Sequence, residues 1–196
     1  MINDPNLLLI GSTARNTGKT TLAIELAKQL GAGPPIAALK VTRITDEDGG
    51  CPHGERGCGV CERFEGGFCL ERETSASGKK DSALLLASGI ERVYWLRAQE
   101  EALLDGYEAC IRETGGGSMI ICESNSLRKY VRPRVFVMLV AGASEIKPSA
   151  QAVMAQADLV VPVTDLFENQ AAVLQGIMKA ISERQTPQGR PSPVAR

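Results

Sequence analysis

Residues 7–26 read LLLIGSTARNTGKTTLAIEL. The apolar run at the start predicts a buried strand, and Leu22, Leu26 and Leu30 lie on one face of the helix predicted after it. Between these elements, Gly18-Lys19-Thr20 has the form of the end of a phosphate-binding P-loop, in which the glycine permits a tight turn. Backbone N–H groups of such a loop, and of the helix that it opens, point at phosphate oxygens. The stretch therefore predicts a strand, a phosphate-binding loop and a helix.

The last residues of this loop are predicted to form a nucleotide site. Lys19 is expected to reach the β- and γ-phosphates, and the Thr20 hydroxyl is expected to ligate Mg²⁺. The pattern departs from the usual one because Thr13 stands where the first glycine is expected, while Gly11 comes two residues earlier. We predict that the nucleotide is contacted by the loop residues Arg15, Asn16, Thr17, Gly18, Lys19, Thr20 and Thr21.

Length and composition predict one globular domain. The chain has 196 residues, of which 43% are hydrophobic and 23% are charged, as in ordinary globular proteins. We predict a single domain over 1–184 and a flexible tail over 185–196, because the tail contains proline and glycine but no apolar period. A net charge of −1 argues against nucleic acid or an acidic membrane surface as a partner.

The sequence predicts neither a membrane anchor nor a secretion signal. No apolar run approaches the ~18 residues that a membrane-spanning helix needs. Residues 1–5 lack the basic region and apolar core that are typical of a signal peptide. We therefore expect a cytoplasmic protein.

Apolar runs and amphipathic stretches alternate along the rest of the chain. Strands are predicted over 36–41, 92–96, 118–122, 135–140 and 159–163, and helices over 83–88, 100–113, 148–156 and 168–183. Such alternation is typical of an α/β fold with a mostly parallel sheet between two layers of helices, here a P-loop NTPase. Ligands of these sheets bind at the carboxyl ends of the strands.

An acidic residue follows one of the predicted central strands. Glu123 comes directly after Met119-Ile120-Ile121-Cys122, where P-loop proteins place the carboxylate that holds Mg²⁺ directly or through water. The alternative is a carboxylate that caps the turn with Ser124 and Asn125. The P-loop elsewhere in the same sheet favours the metal role.

Two basic residues at the end of the second predicted strand, and one acidic residue further along the chain, are candidates for the same site. Lys40 and Arg43 end the second strand, where they could neutralise charge on phosphate or could be simply solvated. Asp81 lies in Gly78-Lys79-Lys80-Asp81-Ser82, directly before the helix predicted over 83–88, and its residue type favours the N-cap of that helix.

Six cysteines fall into two groups with different predicted roles. Cys51, Cys58, Cys61 and Cys69 lie within nineteen residues, inside a segment over 44–80 that shows no helical or strand period. In a reducing compartment, four thiolates favour structural zinc or an iron–sulfur cluster, and His53 could replace one cysteine. The alternative is a mobile loop with free thiols. The other two, Cys110 and Cys122, are expected to be small buried hydrophobic residues.

Four motifs in this order resemble the MobB-like family of nucleotide-binding P-loop proteins, which are associated with molybdopterin guanine dinucleotide biosynthesis. They are Asn16-Thr17-Gly18-Lys19-Thr20-Thr21, Ala38-Leu39-Lys40, Lys80-Asp81-Ser82 with Ala87-Ser88-Gly89, and Ile120-Ile121-Cys122-Glu123. The chain departs from the family at Thr13, at Ser124 where glycine is usual, and in the cysteine-rich insertion.

The resemblance implies a GTP-binding, weakly GTP-hydrolysing adaptor that forms a homodimer and assists nucleotide attachment to the molybdenum cofactor. Its partners would be the molybdenum cofactor or its biosynthetic proteins. It also implies that Asp81 lies in the active site, so that the catalytic candidates are Lys19, Lys40, Asp81 and Glu123. The chain contains no Asn-Lys-x-Asp motif that would read guanine, and Thr164-Asp165 is a candidate substitute.

Two other functions fit the same sequence features. One is an ATP-dependent synthetase or kinase for a small molecule, similar to dethiobiotin synthetase. The other gives the cysteine cluster the main role, in a metallochaperone or a metal- or redox-sensing protein that nucleotide switches.

Overall fold

The fold is built on one sheet in which the predicted strands lie side by side. A computed structural model describes residues 1–31, 33–44, 67–78, 80–142 and 145–184. In these ranges seven strands form a sheet in the order β3-β4-β2-β5-β1-β6-β7, and every pair is parallel except the antiparallel edge pair β3–β4. The strands are β1 (Ile2–Ser12), β2 (Ile36–Arg43), β3 (Phe68–Arg72), β4 (Arg92–Ala98), β5 (Met119–Glu123), β6 (Val131–Val140) and β7 (Leu159–Pro162).

Helices cover both faces of this sheet. They are α1 (Lys19–Leu30), α2 (Asp81–Ala87), α3 (Leu103–Thr114), α4 (Pro148–Gln151), α5 (Val163–Glu168) and α6 (Gln170–Glu183). Short 3₁₀ turns occur at Glu100–Ala102, Ser126–Lys129 and Met154–Gln156.

The residues of β1 show why the sheet needs two layers of helices. Leu8 and Ile10 pack into a core with α1, α2 and α6, whereas Leu7 and Leu9 pack into a second core with α3. Alternate side chains of a strand point to opposite faces, so a run of four apolar residues is buried only if both faces are covered. This confirms the predicted α/β fold with helices on both sides of a mostly parallel sheet.

The segment over 44–80 contains a strand that the sequence analysis did not predict. β3 pairs antiparallel with β4, with Leu70 opposite Leu96. Its residues are only partly buried or exposed, because it lies at the edge of the sheet, and its sequence therefore carries a weak apolar period. Residues 45–66, which include Cys51, Cys58, Cys61 and His53, lie outside the described residues, as does the predicted tail over 185–196.

Several boundaries differ from the predicted ones. β1 and β6 are longer than their apolar runs, because a further parallel pairing begins at Ile2 and Val131. An irregularity between Asp4 and Leu8 separates it from the main pairing. The helix predicted over 100–113 begins as a 3₁₀ turn, and the one predicted over 148–156 is interrupted after Gln151. The helix predicted over 168–183 matches α6, whereas the short helix α5 directly before it was not predicted.

The burial of two cysteines and the length of the helices both bear on predictions made from the sequence. Cys110 and Cys122 are fully buried in the core on the α3 side, as predicted. None of the helices that the structure describes is both long enough and apolar enough to cross a membrane.

A buried hydrogen bond joins the start of β1 to α3, and we expect its removal to destabilise the fold. The Tyr107 hydroxyl donates to Asp4 Oδ2 at 2.7 Å, and both residues are buried. Tyr107→Phe should lower the free energy of unfolding in urea by about 1–2 kcal/mol, because a buried carboxylate loses a donor. Tyr130→Phe is the matched control, since its hydroxyl donates to Glu100 in a partly exposed position at 2.9 Å. Equal losses in the two variants would contradict this assignment.

Candidate nucleotide-binding site

A polar cavity of about 470 Å³ lies at the carboxyl ends of β1, β2 and β5, beside the loop that follows β6. Parallel pairing brings these strand ends to one edge of the sheet, and Ile10 pairs with Glu123, while Lys40 pairs with Glu123 on the other side. Seven charged side chains of the described residues line the cavity. The basic ones are Arg15, Lys19, Lys40, Arg43 and Lys147, and the acidic ones are Asp81 and Glu123. The excess of basic groups suits an anionic ligand.

The loop between β1 and α1 requires a glycine at its end. Gly18 has a φ of +85°, and a Cβ built there would lie 2.9 Å from Leu166 Cδ2 and 3.1 Å from Phe167 Cζ. Asn16 also has a positive φ, of 55°, which asparagine tolerates better than most residues. The turn therefore brings the N-terminus of α1 to the cavity, as the Gly-Lys-Thr motif predicts.

Thr13 has a structural role that explains why it replaces the usual first glycine. It is fully buried, and its Oγ1 accepts a hydrogen bond from the Ala141 N–H at 3.0 Å. Its own N–H donates to the Leu139 carbonyl at 2.9 Å, and its carbonyl accepts from the Lys147 N–H at 3.0 Å. Three hydrogen bonds thus tie the start of the loop to the end of β6 and the segment after it.

Asn125 holds the same loop from the other neighbouring strand. The Ser12 N–H donates to Asn125 Oδ1 at 2.8 Å, and Asn125 Nδ2 donates to the Ser12 carbonyl at 2.9 Å. This approach is close, because a Cβ built at Gly11 would lie 2.7 Å from Asn125 Oδ1. From the sequence, Asn125 was predicted only as a turn residue. Its position two residues after Glu123 is the signal that could have placed it beside the P-loop.

The Lys19 side chain lies inside the cavity. Its Nζ donates to Ser12 Oγ at 2.9 Å. Burial lowers the pKa of Lys19, and the nearby Glu123 carboxylate opposes this by favouring the charged ammonium. A desolvated ammonium at the N-terminus of a helix can interact strongly with a phosphate anion.

Glu123 is a buried carboxyl with an unused oxygen. It is 4% exposed, and its Oε1 has no hydrogen-bond partner among the described residues. Burial raises the pKa of Glu123, while Thr20, Lys19 and Lys40 favour its charged form. A carboxylate oxygen and a threonine hydroxyl are ligands that Mg²⁺ accepts, so the residues present fit this ion.

Lys40 and Asp81 form an ion pair across the cavity. The prediction that Asp81 is the N-cap of its helix was wrong, because the N-cap is Lys80 and Asp81 is the first residue of α2. Asp81 adds its charge to the first turn of α2, where a carboxylate is favoured, and its side chain reaches Lys40. The structure thus brings Lys19, Lys40, Asp81 and Glu123 around one cavity.

The other loop residues predicted to contact the nucleotide differ in their position relative to the cavity. Arg15 and Asn16 line the cavity, whereas Thr17 is buried and its hydroxyl has no partner in the described ranges. Thr21 is exposed on the first turn of α1.

Two cavity residues after β6 were missed by the sequence analysis. Lys147 and Ser149 line the cavity, and Ser149 Oγ accepts from Asn125 Nδ2 at 3.2 Å. Burial and the neighbouring cations Lys19 and Arg15 lower the pKa of Lys147 to about 8. The available signal was a lysine directly before Pro148 at the start of a helix after a central strand.

The predicted four-cysteine metal site lies largely outside the described residues. Cys69 is on β3, partly buried, and its sulfur accepts a hydrogen bond from Arg97 at 3.5 Å. In the part of the chain that the structure describes, no three His, Cys, Asp or Glu side chains are placed to hold a metal ion. Zinc or an iron–sulfur cluster therefore stays a prediction.

Comparisons with known proteins address the fold. No protein-family profile matches the chain, and no curated protein matches it. Among solved structures it is similar to LpxK from Aquifex aeolicus in complex with ATP, with a TM-score of 0.53 and 14% sequence identity. The match covers 86% of this chain and 51% of LpxK, so the chain spans about half the length of that protein. The likeness confirms the P-loop NTPase fold but not the MobB-like family.

We expect Glu123→Gln to stabilise the unliganded protein at neutral pH. Since burial raises the pKa of Glu123, ionisation of this carboxyl costs stability as pH rises above its ordinary value of 4.5. The variant should have a higher melting temperature than the wild type at pH 7, and this difference should shrink toward pH 4.5. Glu25→Gln is the control, because Glu25 is a partly exposed carboxylate on α1 that pairs with Lys28. A lower melting temperature of Glu123→Gln at pH 7 would contradict this account.

Proposed function

We propose that this chain binds a nucleoside triphosphate with Mg²⁺ in the cavity and hydrolyses it slowly. The observation that carries the proposal is the proximity of two desolvated charged groups, the partly buried Lys19 at the end of the P-loop and the buried Glu123 at the end of β5. Buried ionisable groups without full solvation cost stability, so their retention favours a functional role. A phosphate chain would neutralise Lys19, and Mg²⁺ would neutralise Glu123.

The metal ligands of this proposal are Thr20 and Glu123. Both belong to elements that meet at the cavity, since Thr20 is in the first turn of α1 and Glu123 ends the adjacent β5. Mg²⁺ binds few protein ligands and completes its shell with water and phosphate oxygens. Asp81 forms an ion pair with Lys40 and thereby orients the Lys40 side chain in the cavity.

The basic groups complete the proposed site around the phosphates. Lys19 would contact the β- and γ-phosphates. Lys40, which Asp81 holds in the cavity, would stabilise charge that develops on the transferred or hydrolysed phosphate. The structure supports this because both lysines line the same cavity as Glu123.

For the cellular role, we propose a MobB-like adaptor that binds GTP, acts as a homodimer in the cytoplasm and works with the molybdenum cofactor or its biosynthetic proteins. This rests on the order of the four sequence motifs. The second candidate is an ATP-dependent kinase or synthetase, and the specific observation that favours it is the likeness to LpxK, which was solved with ATP.

The nucleotide proposal is tested by Lys19→Ala. Isothermal titration calorimetry with non-hydrolysable GTP and ATP analogues, with and without Mg²⁺, should show at least about a hundredfold loss of affinity, because a buried phosphate would lose its ammonium partner. Lys28→Ala is the matched control, since Lys28 is on the same helix but is exposed and paired with Glu25 at 2.7 Å. It should bind like the wild type.

Unchanged affinity in Lys19→Ala would contradict the proposed site. The wild-type affinities for the two analogues separate the GTP-binding adaptor from the ATP-dependent enzyme. Phosphate release in the presence and absence of small-molecule acceptors then distinguishes slow hydrolysis from transfer.

A further inference from the structure

Lys147 is held rigidly beside the first half of the P-loop. It follows β6 and is the N-cap residue of α4, and its N–H donates to the Thr13 carbonyl at 3.0 Å. Ser149, two residues later, is tied to Asn125, which also holds Ser12. Hydrogen bonds thus connect the backbone around Lys147 to Thr13 in the phosphate-binding loop and to Asn125, which also holds that loop.

The charge on Lys147 is not balanced by the protein in the way that other cavity cations are. Lys40 is paired with Asp81, and Arg43 is paired with Glu100 at 2.9 Å. No carboxylate within the described ranges forms an ion pair with Lys147, although its side chain lies near Lys19 and Arg15. Positive charges are therefore in excess around Lys147. The two carboxyl groups of the cavity, Asp81 and Glu123, are associated with Lys40 and Lys19.

Desolvation adds to this imbalance. Burial and the repulsion from Lys19 and Arg15 lower the pKa of Lys147 to about 8. Like charges brought together at a partly buried position destabilise the unliganded state, and an anion bound among them would remove that cost.

We propose that the Lys147 ammonium binds the terminal phosphate of a nucleoside triphosphate. This inference rests on the proposed function and adds a residue to it. In a P-loop, the loop backbone and the N-terminus of α1 surround the inner phosphates, so other residues of the cavity are free to contact the terminal phosphate together with Lys19. Lys147 lines the same cavity as Lys19 and Arg15, and its charge interacts with both of them.

The first test compares triphosphate with diphosphate. Lys147→Gln should weaken binding of a non-hydrolysable triphosphate analogue roughly ten- to hundredfold, because one charge-assisted hydrogen bond is lost. Binding of the corresponding diphosphate should change by less than about twofold, since it lacks the phosphate that Lys147 would contact. Lys179→Gln, at an exposed position of α6 outside the cavity, removes the same charge and should leave both affinities unchanged.

The second test follows the proton on Lys147. Calorimetric titrations at pH 8.5, in buffers with different ionisation enthalpies, should show that the wild type takes up protons when the triphosphate binds. Lys147→Arg should keep the affinity within about tenfold but take up fewer protons, because arginine is always charged. Lys19, Arg15 and Lys40 also face this phosphate, as do Glu123 and Asp81, so the arginine variant isolates the contribution of Lys147.

Three results would overturn the inference. These are equal losses of triphosphate and diphosphate affinity in Lys147→Gln, unchanged affinity in that variant, and equal proton uptake in the wild type and Lys147→Arg. If the wild type binds no nucleotide, the proposed function is wrong and the inference falls with it. If the wild type binds nucleotide but the Lys147 variants give one of these three results, only the inference is wrong. Circular dichroism melting curves check that each variant is folded.

Discussion

The arrangement of the site depends on keeping two opposite charges, on Lys19 and Glu123, in a partly desolvated cavity at one edge of the sheet. Burial disfavours the charged form of each group, and each opposes that effect in the other. This mutual stabilisation requires the ends of β1 and β5 to be neighbours, which the pairing of Ile10 with Glu123 provides. Because both strands run in the same direction, both of their functional groups emerge at the same edge.

The P-loop is held in place from both neighbouring strands. Asn125 after β5 makes two hydrogen bonds to the backbone of Ser12, and Thr13 makes its hydrogen bonds toward the end of β6. Sites that bind phosphate gain from such preorganisation, since fewer backbone groups must be ordered when the ligand arrives. The replacement of a glycine by Thr13 is therefore compatible with a phosphate-binding loop in this chain, because the loop residues with positive φ are Asn16 and Gly18.

Much of this could be predicted from local sequence. The apolar run before the Gly-Lys-Thr motif identified β1, and the positions of Lys40 and Glu123 at strand ends placed them at one edge once the sheet was taken to be parallel. The ion pair between Lys40 and Asp81 could not be predicted, since it joins residues on separate elements, and the residue type of Asp81 equally suits a helix cap. Asn125 and Lys147 were missed for the same reason, because their importance comes from hydrogen bonds and charges contributed by distant parts of the chain.

The edge strand β3 marks another limit of sequence reasoning. The apolar period of β3 is too weak to predict a strand, and the strand forms because it pairs with β4. Strand propensity commonly depends on such context. Cys69 lies on this strand, next to the buried Arg97, so one member of the predicted cysteine cluster is anchored to the sheet.

The central claim, that Thr20 and Glu123 hold a metal ion together with the phosphates of a nucleotide, is tested most directly by electron paramagnetic resonance with Mn²⁺ in place of Mg²⁺. The account predicts that the wild type binds Mn²⁺ tightly only when a non-hydrolysable triphosphate is present, and that the bound ion shows hyperfine coupling to ³¹P. Tight Mn²⁺ binding without nucleotide, or a bound ion without ³¹P coupling in the presence of nucleotide, would contradict it.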